Sequence, residues 1–178
     1  MKNDWDPVRL DVREFARAQG HLQGESVLAD WPRLSEDAVE PEGRVRWTLS
    51  GETRAVKGGP DQVWLAANAE LDMALSCQRC LGSVRVPVQV ERQFRFVADE
   101  DTAASEDEDS EEDVLVLEKS FDALALLEDE LIMALPMIPM HEACQSEQVL
   151  TSEDEPAGER ERPNPFAVLS QLQLDKSK

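Results

Sequence analysis

Apolar and polar residues alternate along much of the first half of the chain, a pattern typical of half-buried β-strands. Apolar side chains occupy the odd positions over residues 63–75 and, apart from Arg92, the even positions over residues 84–96. The eight residues 76–83 join these two runs, so the pattern predicts an antiparallel hairpin. A shorter alternation over residues 44–50 predicts another strand. Pro87 predicts that the second hairpin strand is an edge strand or carries a bulge.

Helical spacing appears in two further segments. Residues 11–19, after Pro7, predict a short N-terminal helix. A second, amphipathic helix is predicted to begin near Ser120 or Asp122 and to end at Pro136. A short strand over residues 114–117 precedes it. The predicted fold class is therefore α+β, an antiparallel β-sheet or meander with these two helices. The apolar positions of the second helix are Phe121, Leu124, Leu127, Leu131 and Leu135.

Charge is distributed unevenly along the 178 residues, whose net charge is −20. Residues 1–98 hold 13 basic and 15 acidic residues, whereas residues 99–178 hold 5 and 23. Within the second part, 10 of the 15 residues over 99–113 are acidic, which predicts a disordered acidic loop. An acidic surface repels nucleic acid, but the nearly neutral first half can still carry a basic face.

The chain length suggests one domain followed by a tail. Residues 1–98 and 114–150 are expected to form that domain, with the acidic loop of residues 99–113 between them. The polar residues 151–163 predict a linker. Residues 164–178 are again apolar in part and predict a docking segment, in which Phe166 and Leu169 bind a groove on this domain or on a partner.

Several classes of protein are disfavoured by the sequence. It has no run of 18 apolar residues and no secretory signal at its start, so neither a transmembrane helix nor a membrane partner is expected. Three cysteines do not make a disulfide framework, which favours a reduced, cytoplasmic location. The sequence has only two histidines and no phosphate-binding or nucleophile motif, so neither an enzyme nor a small-molecule substrate is expected. Glu128, Asp129 and Glu130 are expected on a solvated helix face.

Cysteine spacing gives the sharpest chemical signal. Cys77 and Cys80 form a CxxC in the predicted hairpin loop, as in a zinc knuckle, and His141 and Cys144 follow the second helix. Folding that joins the two pairs would create a Cys₃His zinc site. Buried cysteines without metal are an equal alternative, since free cysteine packs well in protein cores. A redox CxxC ranks behind both, because no thioredoxin-like βαβ pattern is present.

One face of the predicted sheet carries an aromatic residue among arginines. Trp64 lies opposite the apolar stripe of its strand, near Arg85 and Arg95, where it could stack on a base or contact a protein. We favour the alternative that its own domain covers it. Arg79, Arg85 and Arg95 are expected on a solvated strand face and its loop.

Three motifs in order resemble the bacterial YceD family, from roughly residue 8 to the C-terminus. They are CQRCL at residues 77–81, LEDELIMALPMIPMH at residues 127–141 and PNPFAVL at residues 163–169, with an acidic insert between the first two. The resemblance implies a large ribosomal RNA subunit accumulation protein, needed for synthesis, processing or stability of 23S rRNA. It implies no catalytic residues.

Two kinds of mechanism follow from the resemblance. A non-enzymatic assembly factor would contact 23S rRNA precursor through the basic sheet face and Arg79. An acidic adaptor would instead hold a basic large-subunit ribosomal protein or a processing factor without touching RNA. A metal-dependent nuclease ranks last, because no carboxylate spacing is diagnostic of one.

Overall fold

Four of the five strands in the described part of the chain form a consecutive antiparallel meander. The computed structural model describes residues 5–107, 110 and 112–144. The α+β prediction is confirmed, although β5 runs parallel to β4 and so departs from the expected antiparallel sheet. The strands lie side by side in chain order: β1 (His21–Val27), β2 (Arg44–Arg54), β3 (Gln62–Ser76), β4 (Ser83–Val97) and β5 (Asp113–Val116).

Both predicted helices are present, and each begins after an aspartate cap. Asp11 accepts the N–H of Glu14 at 3.0 Å, and Asp122 accepts the N–H of Ala125 at 2.8 Å. Such caps satisfy backbone donors that have no partner in the first turn. No described helix is long and apolar enough to cross a membrane. The helices are α1 (Val12–Arg17), α2 (Pro32–Glu36), α3 (Glu100–Asp107) and α4 (Ala123–Met133), with a 3₁₀ turn at Leu28–Asp30.

The β3–β4 hairpin follows the predicted register. Leu75 pairs with Val84, and Asp72 pairs with Pro87. β5 pairs with β4 over residues 94–97, so among the described residues no strand adjoins β4 on its other side at Pro87. An edge position tolerates proline, which has no N–H to donate to a ladder.

The hydrophobic core lies between one face of the sheet and helices α1 and α4. Gly51 on β2 permits the close approach of α1, because a Cβ there would lie 2.6 Å from the Phe15 ring and 2.9 Å from the Ala16 backbone. Burying large apolar side chains supplies the main stabilisation. The largest fully buried side chains include Phe15, Phe94, Leu10, Leu28, Leu34, Leu49, Leu65, Met73, Leu127 and Leu131.

The prediction of a disordered loop over residues 99–113 is wrong for residues 100–107, which form α3. Asp99 begins this helix by accepting the N–H of Thr102 at 2.9 Å and its hydroxyl at 2.8 Å. Ala103 is buried, and Glu106 forms an ion pair with Arg95 of β4. Glutamate and alanine favour helices, so the acidic sequence folds once the sheet supplies an apolar contact and a cation.

The expectation of a solvated face at residues 128–130 is also wrong for two of the three carboxylates. Glu128 is 6% exposed and Glu130 is 7% exposed, whereas the Asp129 side chain is half exposed. Glu128 faces α2, where it accepts hydrogen bonds from the backbone N–H groups of Arg33 and Leu34. Burial raises the pKa of Glu130, although the Arg92 guanidinium opposes this shift. These carboxylates are structural.

Candidate metal centre

The first cysteine pair lies in a tight turn that closes the β3–β4 hairpin. Cys77 directly follows β3, and its N–H donates to the carbonyl of Gly82 at 2.8 Å. The N–H of Leu81 donates back to the carbonyl of Cys77 at 2.9 Å. Leu81 adopts a φ of +61°, the left-handed conformation that is costly for a residue with a Cβ. The turn therefore holds both thiols on one side of the hairpin end.

The second pair reaches this turn through the proline-containing segment after α4. The N–H of Gln78 donates to the carbonyl of Pro139 at 2.9 Å, which ties the two loops together backbone to backbone. His141 and Cys144 follow directly. A proline cannot continue a helix, so Pro136 and Pro139 turn the chain from α4 toward the hairpin.

Folding brings all four predicted residues into one cluster. The ligand atoms of Cys77, Cys80, His141 and Cys144 lie within 4.8 Å of one another. Sγ of Cys77 lies 3.6 Å from Sγ of Cys144. Nδ1 of His141 lies 3.5 Å from Sγ of Cys80 and 3.8 Å from Sγ of Cys144. In a tetrahedral zinc site with Zn–S bonds of about 2.3 Å, neighbouring sulfurs are about 3.8 Å apart. The cluster therefore has the dimensions of such a site.

A backbone contact fixes the orientation of the imidazole. Nε2 of His141 lies 3.0 Å from the carbonyl oxygen of Ser83. A carbonyl only accepts, so Nε2 carries the proton and Nδ1 presents its lone pair to the three sulfurs. Metal-bound histidines usually have such a hydrogen bond on the second ring nitrogen. The sequence contains no signal for this contact, because any residue at position 83 has the same carbonyl.

The four side chains also perturb one another electrostatically. The N–H of Cys80 donates to the Cys77 sulfur and lowers the pKa of Cys77 to about 5. The pKa of His141 is raised, chiefly because its ring interacts with the Cys77 side chain. Hydrogen bonding to Cys80, together with burial, raises the pKa of Cys144 to about 12. One thiolate thus opposes ionisation of the next, and a bound cation would remove this repulsion.

Trp64 and Arg95, two of the predicted contact residues, are buried. The Trp64 side chain is 5% exposed, with the Arg54 guanidinium 3.9 Å above its ring, so its own domain covers it. The expected position of Arg95 on a solvated face is wrong, because the residue is 7% exposed. It pairs with Glu106 and donates to Ser110 at 2.8 Å. Helix α3, which the sequence did not predict, covers this residue.

Arg79 and Arg85 are exposed. Arg85 pairs with Glu40 at 3.2 Å, whereas Arg79 has no ion pair within the described part of the chain. Phe166 and Leu169 lie outside the described residues. Eight of the eleven described arginines form ion pairs with carboxylates, which leaves little unpaired positive charge on the sheet. The paired arginines are Arg17, Arg33, Arg44, Arg46, Arg54, Arg85, Arg92 and Arg95.

Comparison with known proteins gives a consistent match. The model of the family described as "Large ribosomal RNA subunit accumulation protein YceD" matches residues 65–173, a span that contains all four residues of the cluster. The chain is also similar to the large ribosomal RNA subunit accumulation protein YceD of Haemophilus influenzae. The two are 33% identical over 171 residues, which cover 93% of this chain and 95% of that protein. No solved structure matches the chain.

Proposed function

Because the chain belongs to the YceD family, we propose that it supports accumulation of large-subunit ribosomal RNA. In this proposal it is a ribosome biogenesis factor for synthesis, processing or stability of 23S rRNA. The observation that carries the proposal is the similarity along nearly the whole length of a relative with that name.

The protein acts by binding rather than by catalysis. Of its two histidines, His141 belongs to the cysteine cluster and His21 lies on β1, hydrogen-bonded to Ser50. The buried carboxylates Glu128 and Glu130 serve ion pairs with Arg33 and Arg92. General acid–base catalysis needs a titratable group free to reach a substrate, and these groups have structural partners.

The cluster holds one zinc ion. Thiolate and imidazole ligands in a closed four-ligand set are typical of structural zinc. The ligands come from the hairpin turn and from the segment after α4, 61 to 67 residues apart. Zinc would therefore clamp two loops whose direct links include the Gln78–Pro139 hydrogen bond, and its binding energy would contribute to folding.

Metal analysis and chelation test the zinc site. Full-length protein, purified reduced and without chelator, should contain about one zinc per chain, and Cys77→Ser, Cys80→Ser and His141→Ala should each lose it. Removing zinc with a chelator should lower the melting temperature of the wild type, because metal binding is coupled to folding. His21→Ala is the matched control and should keep the metal. Zinc-free wild type, or full zinc in the cluster variants, would contradict the site.

The adaptor mechanism gains support from the arginine ion pairs. Phosphate binding requires cations that are free to replace counterions, and eight described arginines already face carboxylates. We therefore favour a route through a basic protein partner over direct contact with 23S rRNA precursor. Arg79 and Arg85 are the exposed residues of the proposed RNA face that still allow a test.

Ribosome profiles of cells test the function. A strain lacking the protein should contain less mature 23S rRNA relative to 16S rRNA and should accumulate large-subunit precursors in sucrose gradients. An Arg79→Ala/Arg85→Ala variant should restore both if the partner is a protein. Failure of this folded variant to complement would favour direct RNA contact. Normal 23S levels in the deletion strain, including in the cold, would refute the function itself.

A further inference from the structure

Exposed apolar side chains recur on the CxxC turn and along the chain from the last residue of α4 to His141, the two stretches that lead into the metal ligands. Isolated exposed apolar residues are common in proteins, but a cluster marks an interaction surface. Methionine suits such a surface because its flexible, polarisable side chain adapts to a partner. We name this cluster the apolar platform. It consists of Leu81 (78% exposed), Met133 (68%), Met137 (97%), Ile138 (62%) and Met140 (47%).

A groove of about 340 Å³ adjoins the apolar platform. The groove lies between the end of β3, the CxxC turn and the segment after α4. Met137 belongs to the platform and also lines the groove. The Gln78–Pro139 hydrogen bond joins the CxxC turn to the segment after α4. Leu81 directly follows the metal-centre residue Cys80, and Met140 directly precedes the metal-centre residue His141. A rigid support of this kind lowers the entropic cost of binding. The apolar lining is Leu75, Ile132, Leu135, Pro136, Met137 and Pro139.

Leu81 presents an exposed apolar side chain from the same strained turn that positions the two thiols. Its φ of +61° is the left-handed conformation that glycine adopts without strain. A leucine there costs energy, and its side chain gains little burial in return, since it is 78% exposed. Strained backbone conformations cluster at functional sites, and this turn carries two metal ligands as well as Leu81 of the platform.

Charge around the groove selects the kind of partner. Asp37 lines the groove, and Glu36 directly precedes Asp37 in the chain. Glu142 lies between the ligands His141 and Cys144. Within the described residues none of these three carboxylates has an ion pair, and Arg79 is the exposed cation of the turn. Negative potential here repels RNA phosphates. It also disfavours a second copy of this chain, whose net charge is −20.

We propose that the apolar platform and its groove bind a basic polypeptide segment that carries large apolar side chains. The apolar residues of the segment would enter the groove, and its lysines and arginines would face Glu36, Asp37 and Glu142. The inference rests on the proposed function in one respect: proteins that bind rRNA are rich in such basic segments because they neutralise phosphates. It thereby names the chemistry of the adaptor's partner.

A peptide titration with the full-length zinc-loaded protein tests this. The probe is a fluorescein-labelled 12-residue peptide of alternating lysine and leucine, followed by anisotropy. Met137→Ser/Ile138→Ser should weaken its binding at least tenfold, and Glu36→Gln/Asp37→Asn should weaken it several-fold and flatten its salt dependence. Val56→Ser is the matched control, since Val56 is 42% exposed but lies on the β2–β3 turn. It should bind as wild type does. Zinc content and melting temperature confirm that each variant folds.

Other outcomes overturn the proposal. They are no binding by the wild type, equal loss in Val56→Ser, or unchanged binding in Met137→Ser/Ile138→Ser. A peptide in which serine replaces leucine must bind more weakly, or the contact is charge alone. Binding of a 12-nucleotide RNA that depends on the same residues would make the platform an RNA surface. A dimer that the double variant dissociates would make it a self-interface. None of these outcomes depends on 23S levels in the deletion strain, so failure of the inference and failure of the proposed function are distinguishable.

Discussion

Glu128 joins two helices that are far apart in the sequence. From α4 it accepts the N–H groups of Arg33 and Leu34 at 2.9 and 3.1 Å, at the first turn of α2. Its second oxygen accepts Nε of Arg33 at 3.1 Å. The carboxylate thus caps α2, which has no side-chain cap of its own at Trp31. Three charge-assisted hydrogen bonds offset the cost of burying the charge.

Replacing this carboxylate should therefore cost far more stability than replacing its neighbour. Glu128→Ala leaves two backbone N–H groups and Nε of Arg33 without their acceptor, and should lower the free energy of unfolding by about 2–4 kcal/mol. Asp129→Ala removes an exposed partner of the same arginine and should change it by no more than about 1 kcal/mol. Urea denaturation of both variants gives the comparison. Equal effects would show that Glu128 does not cap α2.

Helix α3 shows how one element changes the chemistry of a face. It places Ala103 against the sheet and Glu106 beside Arg95. Arg95, which would otherwise be available to a phosphate, becomes a buried structural residue. Trp64 pairs with Arg95 across the β3–β4 ladder, and the Arg54 guanidinium covers its ring. Part of the acidic segment, helix α3, therefore packs on the sheet as an element of the fold.

Two alanines of α3 provide a matched test of this packing. Ala103 is buried and Ala104 is exposed, and glutamine has nearly the same helix propensity at both positions. Ala103→Gln forces a larger polar side chain against the sheet and should lower stability by about 1–3 kcal/mol. Ala104→Gln should change it by less than about 0.5 kcal/mol. Thermal unfolding of the two variants measures the difference. Identical melting curves would mean that α3 does not pack on the sheet.

Sequence patterns predict the elements whose apolar side chains recur at regular spacing. They fail for elements whose structure depends on contacts with residues distant in the chain. The β3–β4 hairpin and α4 are evident because each buries a regular apolar stripe. β1 is not, since its inward positions Leu22, Gly24 and Ser26 include a single large apolar residue. α2 depends on Glu128, almost 100 residues away. In the metal centre, the ligand types and their spacing can be predicted from the sequence, whereas the contact of His141 with the Ser83 carbonyl requires the fold. The burial of Arg95 under α3 also requires the fold.

For the molecule as a whole, the arrangement of charges matters more than their number. The first 98 residues have almost equal numbers of basic and acidic side chains. On the sheet these opposite charges also lie next to one another, because arginines and glutamates pair across neighbouring strands. Arg44 pairs with Glu25 on β1, and Arg46 pairs with Glu70 on β3. A sheet with alternating signs has no sustained positive potential. The protein as a whole should therefore attract cations at long range, because residues 99–178 hold 23 acidic residues and only 5 basic ones.

Binding of naked RNA should therefore be weak, and its salt dependence should be limited by the number of cations without a carboxylate partner. Each phosphate neutralised on a single strand contributes about −0.7 to the slope of log K against log salt. Within the described residues, Arg9, Arg13, Arg79, Lys57 and Lys119 have no ion pair, which allows a slope of about −3.5 from those five. The five basic residues outside the described part could contribute about as much again. Filter binding of a 23S rRNA precursor fragment by the full-length protein, from 50 to about 300 mM salt, measures it. The eight paired arginines leave ten of the 18 basic residues, so a slope steeper than about −7 would require cations that the structure shows paired with carboxylates. That result would mean that RNA opens these pairs and would restore direct contact as the mechanism.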